Sequence, residues 1–217
     1  EWTGGVLKKF EAHLLQLFDT VIAMGIANKT YIKKYYFKDN IIPRVLEINL
    51  WSSSVNENKS TDYLEGPVKI IFGGQIIKGR RPEVLIDFVE RLNFHNANLT
   101  LDIYSSGHEF NQLKKAYAHL PWLRFLNPVS RDVYTKLLAE YHVGSLVTDS
   151  SSDLPTFPSK IIDYISAGLY VFGIVEQESD LFSVFQQFSR VHLNAFDESE
   201  NAINNALLFF KNVKNGS

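Results

Sequence analysis

The chain has 217 residues, which is more than the commonest single domain but short for two complete α/β domains, so we expect one full domain with an additional piece. A net charge of −2, from 22 basic and 24 acidic residues, argues against nucleic-acid binding, and the absence of cysteine excludes disulfides and cysteine-ligated metals. No apolar run approaches the ~18 residues of a membrane helix and no secretory signal opens the sequence, so we expect a soluble protein; the lack of cysteine is compatible with a cytoplasmic location.

The sequence begins with Glu1 and Trp2 rather than Met, which suggests a fragment or a processed chain. Residues 1–50 predict two pieces of β–α size, with helices at 6–17 and 27–36, a strand at 20–24 and an extended segment at 41–48. That is too little sequence for an independent α/β domain. Residues 51–67, rich in Ser, Asn, Glu and Asp, are the predicted linker.

One segment of the second predicted helix mixes basic and aromatic residues, Lys33-Lys34-Tyr35-Tyr36-Phe37-Lys38. This composition is compatible with peripheral contact to an anionic membrane, which would be the inner face of a cytoplasmic membrane. It is equally the composition of a solvated helix face whose aromatic rings are buried, and we favour that interpretation.

From residue 68 onward, short apolar runs alternate with amphipathic helices. Strands are predicted at 68–72, 99–104, 123–126, 143–148 and 169–174, with a short edge strand at 190–193, and helices at 82–93, 108 to about 119, 131–141, 181–188 and 201–213. A further short helix is delimited by Pro158 and Gly168. Repeated βα units of this kind form an open parallel sheet with helices on both faces, a Rossmann-like α/β fold. Ligands of such sheets bind at the carboxyl ends of the strands, where the strand order reverses.

The most informative stretch is the predicted helix after residue 157. Pro158 suits a first helical turn and Gly168 a left-handed C-terminal cap, while Ser159, Lys160 and Asp163 share one face by their spacing. A hydroxyl, a cation, a carboxylate and free backbone N–H groups at one helix end suit a diphosphate and the neighbouring ribose. Because a lysine is the wrong sign for a helix N-terminus, Lys160 favours a bound anion.

Each of these assignments has a structural alternative. Ser159 could serve only as a cap, and Asp163 could be an ordinary solvated helix residue. The three isoleucines of the same helix, Ile161, Ile162 and Ile165, are expected to face the core.

A second group of candidate binding residues follows the first strand of the predicted sheet. Two glycines, Gly73 and Gly74, precede a cationic loop that contains Lys78, Arg80 and Arg81. The glycines could be needed for the turn alone, and a cationic loop is often simply solvated. None of the six histidines has metal-ligand spacing, and there is no Asp-x-Asp motif, so we expect no metal.

These landmarks, in their order and spacing, resemble those of a known family. From residue 68 to about residue 188 the chain resembles the C-terminal, nucleotide-sugar-binding domain of GT-B glycosyltransferases, in particular the retaining glycosyltransferase family 4 group. The resemblance rests on Gly73-Gly74 with Lys78-Gly79, Leu101-Asp-Ile-Tyr-Ser-Ser-Gly107, Arg124-Phe-Leu-Asn-Pro-Val129, and Pro158-Ser159-Lys160 through Asp163-Tyr164 to Gly168. It implies that residues 1–50 are the end of the family's N-terminal, acceptor-side domain and that residues 68–217 bind the donor.

The resemblance also implies roles for individual residues. Many members hold the donor with a pair of glutamates at a fixed spacing. Asp163 stands at the second position, which holds the ribose, and Pro155 at the first; Asp153 is the nearest carboxylate and would lie near the donor sugar, although a loop-capping role fits it equally. Gly107 and His108, at the end of a strand, are further candidates for the donor sugar.

The diphosphate would be held by Lys78 and Lys160 with support from Arg80 and Arg81, and the two lysines would stabilise the departing diphosphate electrostatically. The family commonly has Arg directly after the first glycine turn, where this chain has Gln75.

The resemblance therefore implies transfer of a sugar from a nucleotide-diphosphate donor to a glycan or lipid-linked acceptor, with retention. The nucleotide sugar is a co-substrate and no other cofactor is expected; the N-terminal half would be supplied in the same chain or by a second one. Two alternatives remain, namely a non-catalytic GT-B-like subunit, which the departures at Pro155 and Gln75 would suit, and a GT-B-type sugar-nucleotide epimerase.

Overall fold

The computed structural model describes residues 2–36, 44–48, 64–76, 81–148, 157–177 and 179–216, with side chains from residue 5 onward. The N-terminal part contains helix α1 (Trp2–Leu15), strand β1 (Thr20–Ala23), helix α2 (Ile26–Tyr36) and strand β2 (Arg44–Glu47). The two strands pair in parallel as a separate sheet. This arrangement agrees with the predicted β–α pieces, while the predicted linker lies largely outside the described residues.

The main body of the fold is one six-stranded parallel sheet with the strand order β5-β4-β3-β6-β7-β8. Its strands are β3 (Val68–Gly73), β4 (Leu99–Tyr104), β5 (Leu123–Leu126), β6 (Val143–Val147), β7 (Tyr170–Ile174) and β8 (Val191–Asn194), and its helices are α3 (Pro82–Phe94), α4 (His108–Ala116), α5 (Arg131–Leu137), α6 (Lys160–Ser166), α7 (Asp180–Phe185) and α8 (Glu200–Asn215). The predicted α/β class is confirmed. The order reverses between β3 and β6, so the carboxyl ends of these strands form the expected ligand-binding edge.

Helices cover both faces of this sheet because the buried strands are apolar on both sides. In β3, Ile70 and Phe72 join one apolar cluster together with α3, α4 and α8, whereas Ile71 joins a second cluster with α5, α6 and α7. β8 lies at the edge of the sheet, as its short sequence predicted.

Two details of the predicted elements require correction. The helix expected over 131–141 ends at Leu137 and continues as a 3₁₀ turn, Leu138–Glu140. In α6 the side chain that enters the core is Tyr164, which is fully buried with Ile161, whereas Ile162 and Ile165 are only half-buried. The predicted cap is confirmed, because Gly168 has a φ of 72° in the left-handed region.

The N-terminal unit packs loosely and contacts the main body through a carboxylate. Its own buried core comprises Ala23 and Val45 among the described residues. Both oxygens of the buried Asp180, at the start of α7, accept the Ala27 N–H of α2 at 2.9 and 3.0 Å. A Cβ on Gly25 would lie 2.8 Å from the Asp180 Cγ, so glycine is needed for this close approach. Asp180 thus caps α2 from the other unit.

The described part of the basic and aromatic run lies on α2. The ammonium of Lys34 lies 5.0 Å from the centre of the Tyr35 ring, and Lys8 of α1 approaches the same ring at 5.1 Å. Tyr35 is exposed, while Tyr36 is half-buried and donates to Glu11 at 2.8 Å. None of the described helices has the length and apolar character that crossing a bilayer requires.

The contact between α6 and β6 provides a test of this packing. A Cβ on Gly144 would lie 2.5 Å from Cδ1 of the buried Tyr164 ring, so Gly144→Ala should lower the free energy of unfolding by about 1–3 kcal/mol through overpacking. Gly66→Ala is the matched control because nothing lies within 4 Å of the position that its Cβ would take, and it should change stability by less than about 0.5 kcal/mol. Urea denaturation measures both; equal stabilities would contradict the packing described.

Candidate functional site

A cavity of about 300 Å³ opens at the carboxyl ends of β3 and β4, beside the point where the strand order reverses. This volume is at the lower end of the range for small-molecule sites. Its described lining consists of Gly73, Gly74, Gln75, Tyr104, Ser105, Ser106, Pro128, Val129, Arg131, Tyr134 and Lys160. Three of the residues predicted to bind the donor, Gly73, Gly74 and Lys160, are therefore brought together although 86 positions separate Gly74 from Lys160 in the sequence.

The two glycines are needed because side chains from the opposite helices occupy the space beside them. A Cβ on Gly73 would lie 2.6 Å from Cζ of Tyr134, and one on Gly74 would lie 3.0 Å from Cε of Lys160. Gly74 also has a φ of 145°, a backbone conformation that residues other than glycine rarely adopt. The glycine turn thus serves both the backbone conformation and the close approach of Lys160.

Lys160 is held over the cavity by an aromatic ring. The Lys160 ammonium lies 5.0 Å from the centre of the Tyr134 ring, within the range of a cation–π interaction. Lys160 as a whole is half-buried. Ser159 precedes it as the N-cap residue, but the Ser159 hydroxyl makes no capping hydrogen bond among the described residues. The structure therefore does not support the alternative that the Ser159 hydroxyl caps this helix.

Asp163 lies one turn further along α6 and forms an ion pair with Arg131. The two terminal guanidinium nitrogens donate to the two carboxylate oxygens at 2.8 and 2.5 Å. Arg131 lines the cavity, whereas Asp163 is not among the lining residues. The hydrogen bond and the charge of Asp163 raise the pKa of Arg131. The ribose-binding role of Asp163 remains a prediction.

Behind the cavity, a buried polar network supports Tyr104. The hydroxyl of Tyr104 lies 3.3 Å from that of Tyr141, which donates to the buried carboxylate of Asp102 at 2.5 Å. Arg124 pairs with the same carboxylate through Nε at 2.7 Å and through a second nitrogen. Because both partners of Asp102 are hydrogen-bond donors, its charge is compensated in the interior.

Ser105, at the end of β4, anchors the loop that follows the glycine turn. Its buried hydroxyl accepts the N–H of Ile76 at 3.2 Å. The loop that carries the predicted cations therefore leaves the sheet from a defined position.

The remaining predicted residues lie elsewhere or outside the described part of the chain. Gly107, with a φ of 111°, precedes α4, and His108 contacts Gln112 at 2.9 Å; neither lines the cavity. Arg81 pairs with Glu83 at 3.5 Å on the exposed start of α3. Lys78, Arg80, Asp153 and Pro155 lie outside the described residues. Within the described residues, no group of His, Asp or Glu is placed to hold a metal ion.

Several cavity residues with polar groups were not among those predicted to bind the donor, and Arg131 and Tyr134 are the two on α5. The signal at Arg131 was the same as at Lys160, because a cation in the first turn of a helix opposes the helix dipole and needs a partner. Tyr134 carried no such signal, since one tyrosine on an amphipathic helix is ordinarily a core residue.

Comparison with known proteins shows the fold. No protein-family profile and no curated protein matches this chain. Among solved structures it is similar to a mutant of S. aureus TarM in complex with fondaparinux, alpha-GlcNAc-glycerol and UDP (10% identity, TM-score 0.72, covering 96% of this chain and 41% of that one). It is also similar to the pneumococcal O-GlcNAc transferase GtfA in complex with UDP and GlcNAc (18%, 0.64, 94% and 39%) and to sucrose-phosphate synthase from Thermosynechococcus elongatus (13%, 0.66, 95% and 53%).

These neighbours are GT-B glycosyltransferases, and over the part that it shares with them the chain has the fold of a GT-B Rossmann-like α/β domain. It spans between 39% and 53% of the length of the neighbours named above.

Alkaline titration should show that the tyrosines behind the cavity stay protonated until the protein unfolds. Burial is the main cause that raises the pKa of Tyr134, Tyr141 and Tyr164 above the usual value of about 10. Their stabilising contribution is therefore complete below about pH 10 and is lost as the pH rises toward the raised pKa values.

Tyrosinate absorbance measures this behaviour. Fewer than all 10 tyrosines should ionise around pH 10 while the circular dichroism spectrum stays native, and the rest should ionise on unfolding. Tyr141→Phe should remove one of the late group. Ionisation of every tyrosine near pH 10 in a protein with a native spectrum would contradict the network.

Proposed function

We propose that this chain is the donor-binding half of a retaining glycosyltransferase of the family 4 type, which binds a nucleotide-diphosphate sugar and transfers the sugar to a glycan or lipid-linked acceptor. The observation that carries the proposal is the cavity at the strand-order reversal of a GT-B fold, in which the glycine turn faces Lys160. Two neighbours of this fold, GtfA and the TarM mutant, are in complex with UDP, which supports a nucleoside diphosphate as the ligand class.

The cavity residues suggest how the donor is held. Lys160 reaches the glycine turn, where its ammonium lies 3.5 Å from the position that a Cβ on Gly74 would take, and it would neutralise the diphosphate as it departs. Asp163 would accept a ribose hydroxyl, because each carboxylate oxygen can accept a second hydrogen bond beside the one from Arg131. Lys78, Arg80 and Arg81 would add positive charge from the loop after Gln75. Gly107, His108 and Asp153 are proposed near the donor sugar.

A nucleoside diphosphate should bind this chain in the cavity. Isothermal titration calorimetry with UDP, GDP and ADP should detect at least one of them at millimolar concentration or below. Lys160→Ala should lower the affinity for that nucleotide by about tenfold or more, since a charge-assisted hydrogen bond contributes roughly 1.5–3 kcal/mol. Lys114→Ala removes an exposed lysine of α4 outside the cavity and should leave the affinity unchanged. Absence of binding by all three nucleotides would exclude the donor site.

A non-catalytic subunit is the second candidate, and Gln75 favours it. Gln75 lines the cavity with a neutral amide at a position where the family commonly has arginine. One structural neighbour of the chain is a complex of two proteins, GtfA/B (14% identity, TM-score 0.59). A subunit of this kind would bind or support a partner without turnover, so nucleotide binding without any transfer activity in the complete assembly would favour it.

The N-terminal unit carries a surface that supports a second, acceptor-side half. One stripe of α1 exposes Val6, Leu7, Phe10 and Leu14, with exposed fractions of 40–61%. Leu17, Phe18 and Ile22 continue the exposed apolar side chains toward β1. Isolated apolar residues are normal at a surface, but a cluster of this size is typical of an interface. We propose that a further α/β layer covers it, in the same chain or in a second one.

Turnover should require that further layer. In a two-domain transferase the acceptor is positioned by the half opposite the donor site, and positioning supplies as much as ~7–11 kcal/mol of the barrier reduction. The 217-residue chain should therefore bind donor yet transfer no sugar, whereas a reconstituted two-domain protein should be active with a radiolabelled nucleotide sugar and a crude acceptor extract. Equal rates for the two proteins would overturn this proposal and require an acceptor site within the chain itself.

A further inference from the structure

A second cation, Arg131, faces the same cavity as Lys160 and comes from a different part of the sheet. It is the first residue of α5 and follows Pro128 and Val129, which also line the cavity, in the loop after β5. The described lining contains two cations and no carboxylate. The charged side chains of the described lining are therefore all cationic, although the chain as a whole has a net charge of −2.

The dipole of α5 does not explain why Arg131 stands at this position. A cation in the first turn of a helix is unfavourable for the helix dipole. The bidentate pair with Asp163 joins α5 to α6, but the guanidinium is still 71% exposed, so most of its surface is open to a ligand. A binding role explains both the position and the exposure.

The geometry of the ion pair with Asp163 favours such a role. The two terminal nitrogens of Arg131 each use one N–H for the carboxylate, at 2.8 and 2.5 Å, so one N–H on each and the Nε N–H remain within the part of the chain that the structure describes. Arg131 is 71% exposed and lines the cavity, whereas Asp163 is 20% exposed and does not line it, so the guanidinium is the member of the pair that the cavity presents. A carboxylate in this position restricts the guanidinium to one orientation.

We infer that Arg131 is a second binding residue of the cavity for the phosphate groups of the ligand, and that Asp163 positions its guanidinium. A guanidinium presents paired N–H groups that match phosphate oxygens. Arg131 would thus supply positive charge that the neutral Gln75 does not supply. The inference rests on the proposed function, because the phosphate belongs to the nucleoside diphosphate that the cavity is proposed to bind.

The test compares ligands that differ only in their phosphate groups. UDP, GDP and ADP, with the corresponding monophosphates and nucleosides, are titrated calorimetrically into the parent chain and into Arg131→Ala, Arg131→Lys and Asp163→Asn. Arg131→Ala should weaken the bound diphosphate about tenfold or more and the nucleoside less than about threefold. Arg131→Lys should recover part of the loss, because it keeps the charge but not the planar fork.

The role of Asp163 is tested in the same series. Asp163→Asn should weaken the diphosphate in the parent but add nothing in the Arg131→Ala background, because a positioning residue has no effect once its target is absent. The 2′- and 3′-deoxynucleoside diphosphates are titrated as a separate series. If Asp163→Asn lowers the affinity for the parent nucleotide more than the affinity for one of the deoxy ligands, Asp163 also contacts that ribose hydroxyl. Arg91→Ala, which removes an arginine that pairs with Glu200 and does not line the cavity, should change none of these affinities.

The outcomes separate this inference from the proposed function. If the parent binds none of the nucleotides, the donor site itself is excluded. If the parent binds and Lys160→Ala weakens binding while Arg131→Ala does not, the donor site stands and the role of Arg131 is overturned. Equal losses for nucleoside and diphosphate on Arg131→Ala would also overturn it, since the residue would then act on the shape of the cavity. Should Arg131→Ala unfold, as shown by circular dichroism, Arg131→Lys decides the same question.

Discussion

The structure around the cavity depends on how closely α5 and α6 approach the sheet. Three positions in the strands and the turn beyond them, Gly73, Gly74 and Gly144, have no side chain, and a Cβ at any of them would press on Tyr134, Lys160 or Tyr164. Tyr164 is fully buried against β6, and its hydroxyl donates to the carbonyl of Ser145 at 3.2 Å. This contact sets the position of α6 and, through it, the position of the Lys160 ammonium at the end of β3. A methyl group at Gly144 would therefore disturb a site that it does not touch.

Charge inside this part of the fold is compensated by hydrogen-bond donors. Asp102 lies on β4, beside the edge strand β5, with Tyr141 and Arg124 as donors, and the tyrosine hydroxyls extend the network to the cavity wall at Tyr104. The tyrosines remain neutral hydrogen-bonding groups because burial raises the pKa values of Tyr141 and Tyr164. Asp163 is likewise paired with a donor, because Arg131, which lines the cavity, donates to its carboxylate. The cations that face the cavity are thus supported by carboxylates and rings behind them.

The two units of the chain differ in how much they can bury without help. The six-stranded sheet has a large apolar cluster on each face, whereas the N-terminal pair of strands buries Ala23 and Val45 among the described residues. The hydrogen bonds from Ala27 to Asp180 fasten α2 to the main body, but they leave the apolar stripe of α1 exposed. This imbalance is the physical reason why we propose a further layer over the N-terminal unit. It also separates the proposed donor binding, which involves residues of the larger unit, from the proposed transfer.

Local patterns along the chain were sufficient for the elements and for part of the site. Apolar runs and helical periodicity predicted every strand of the six-stranded sheet within about two residues, because each pattern reflects burial on one or both faces of a single element. The left-handed residue Gly168 was predicted for the same reason, since the requirement lies in its own backbone. Lys160 was identified because its charge opposes the dipole of its own helix.

What depends on contacts between distant elements became visible only in the folded chain. The pairing of Arg131 with Asp163, the contact of the buried Tyr164 ring with Gly144, and the capping of α2 by Asp180 each join segments separated in the sequence. The sequence periodicity of a single helix or strand does not predict these contacts. They depend on which helix packs against which strand, because that packing determines the space beside a glycine and the partner of a charged side chain. The order of the strands brings these helices together. Tertiary packing therefore determines the shape of the cavity and which cationic side chains line it.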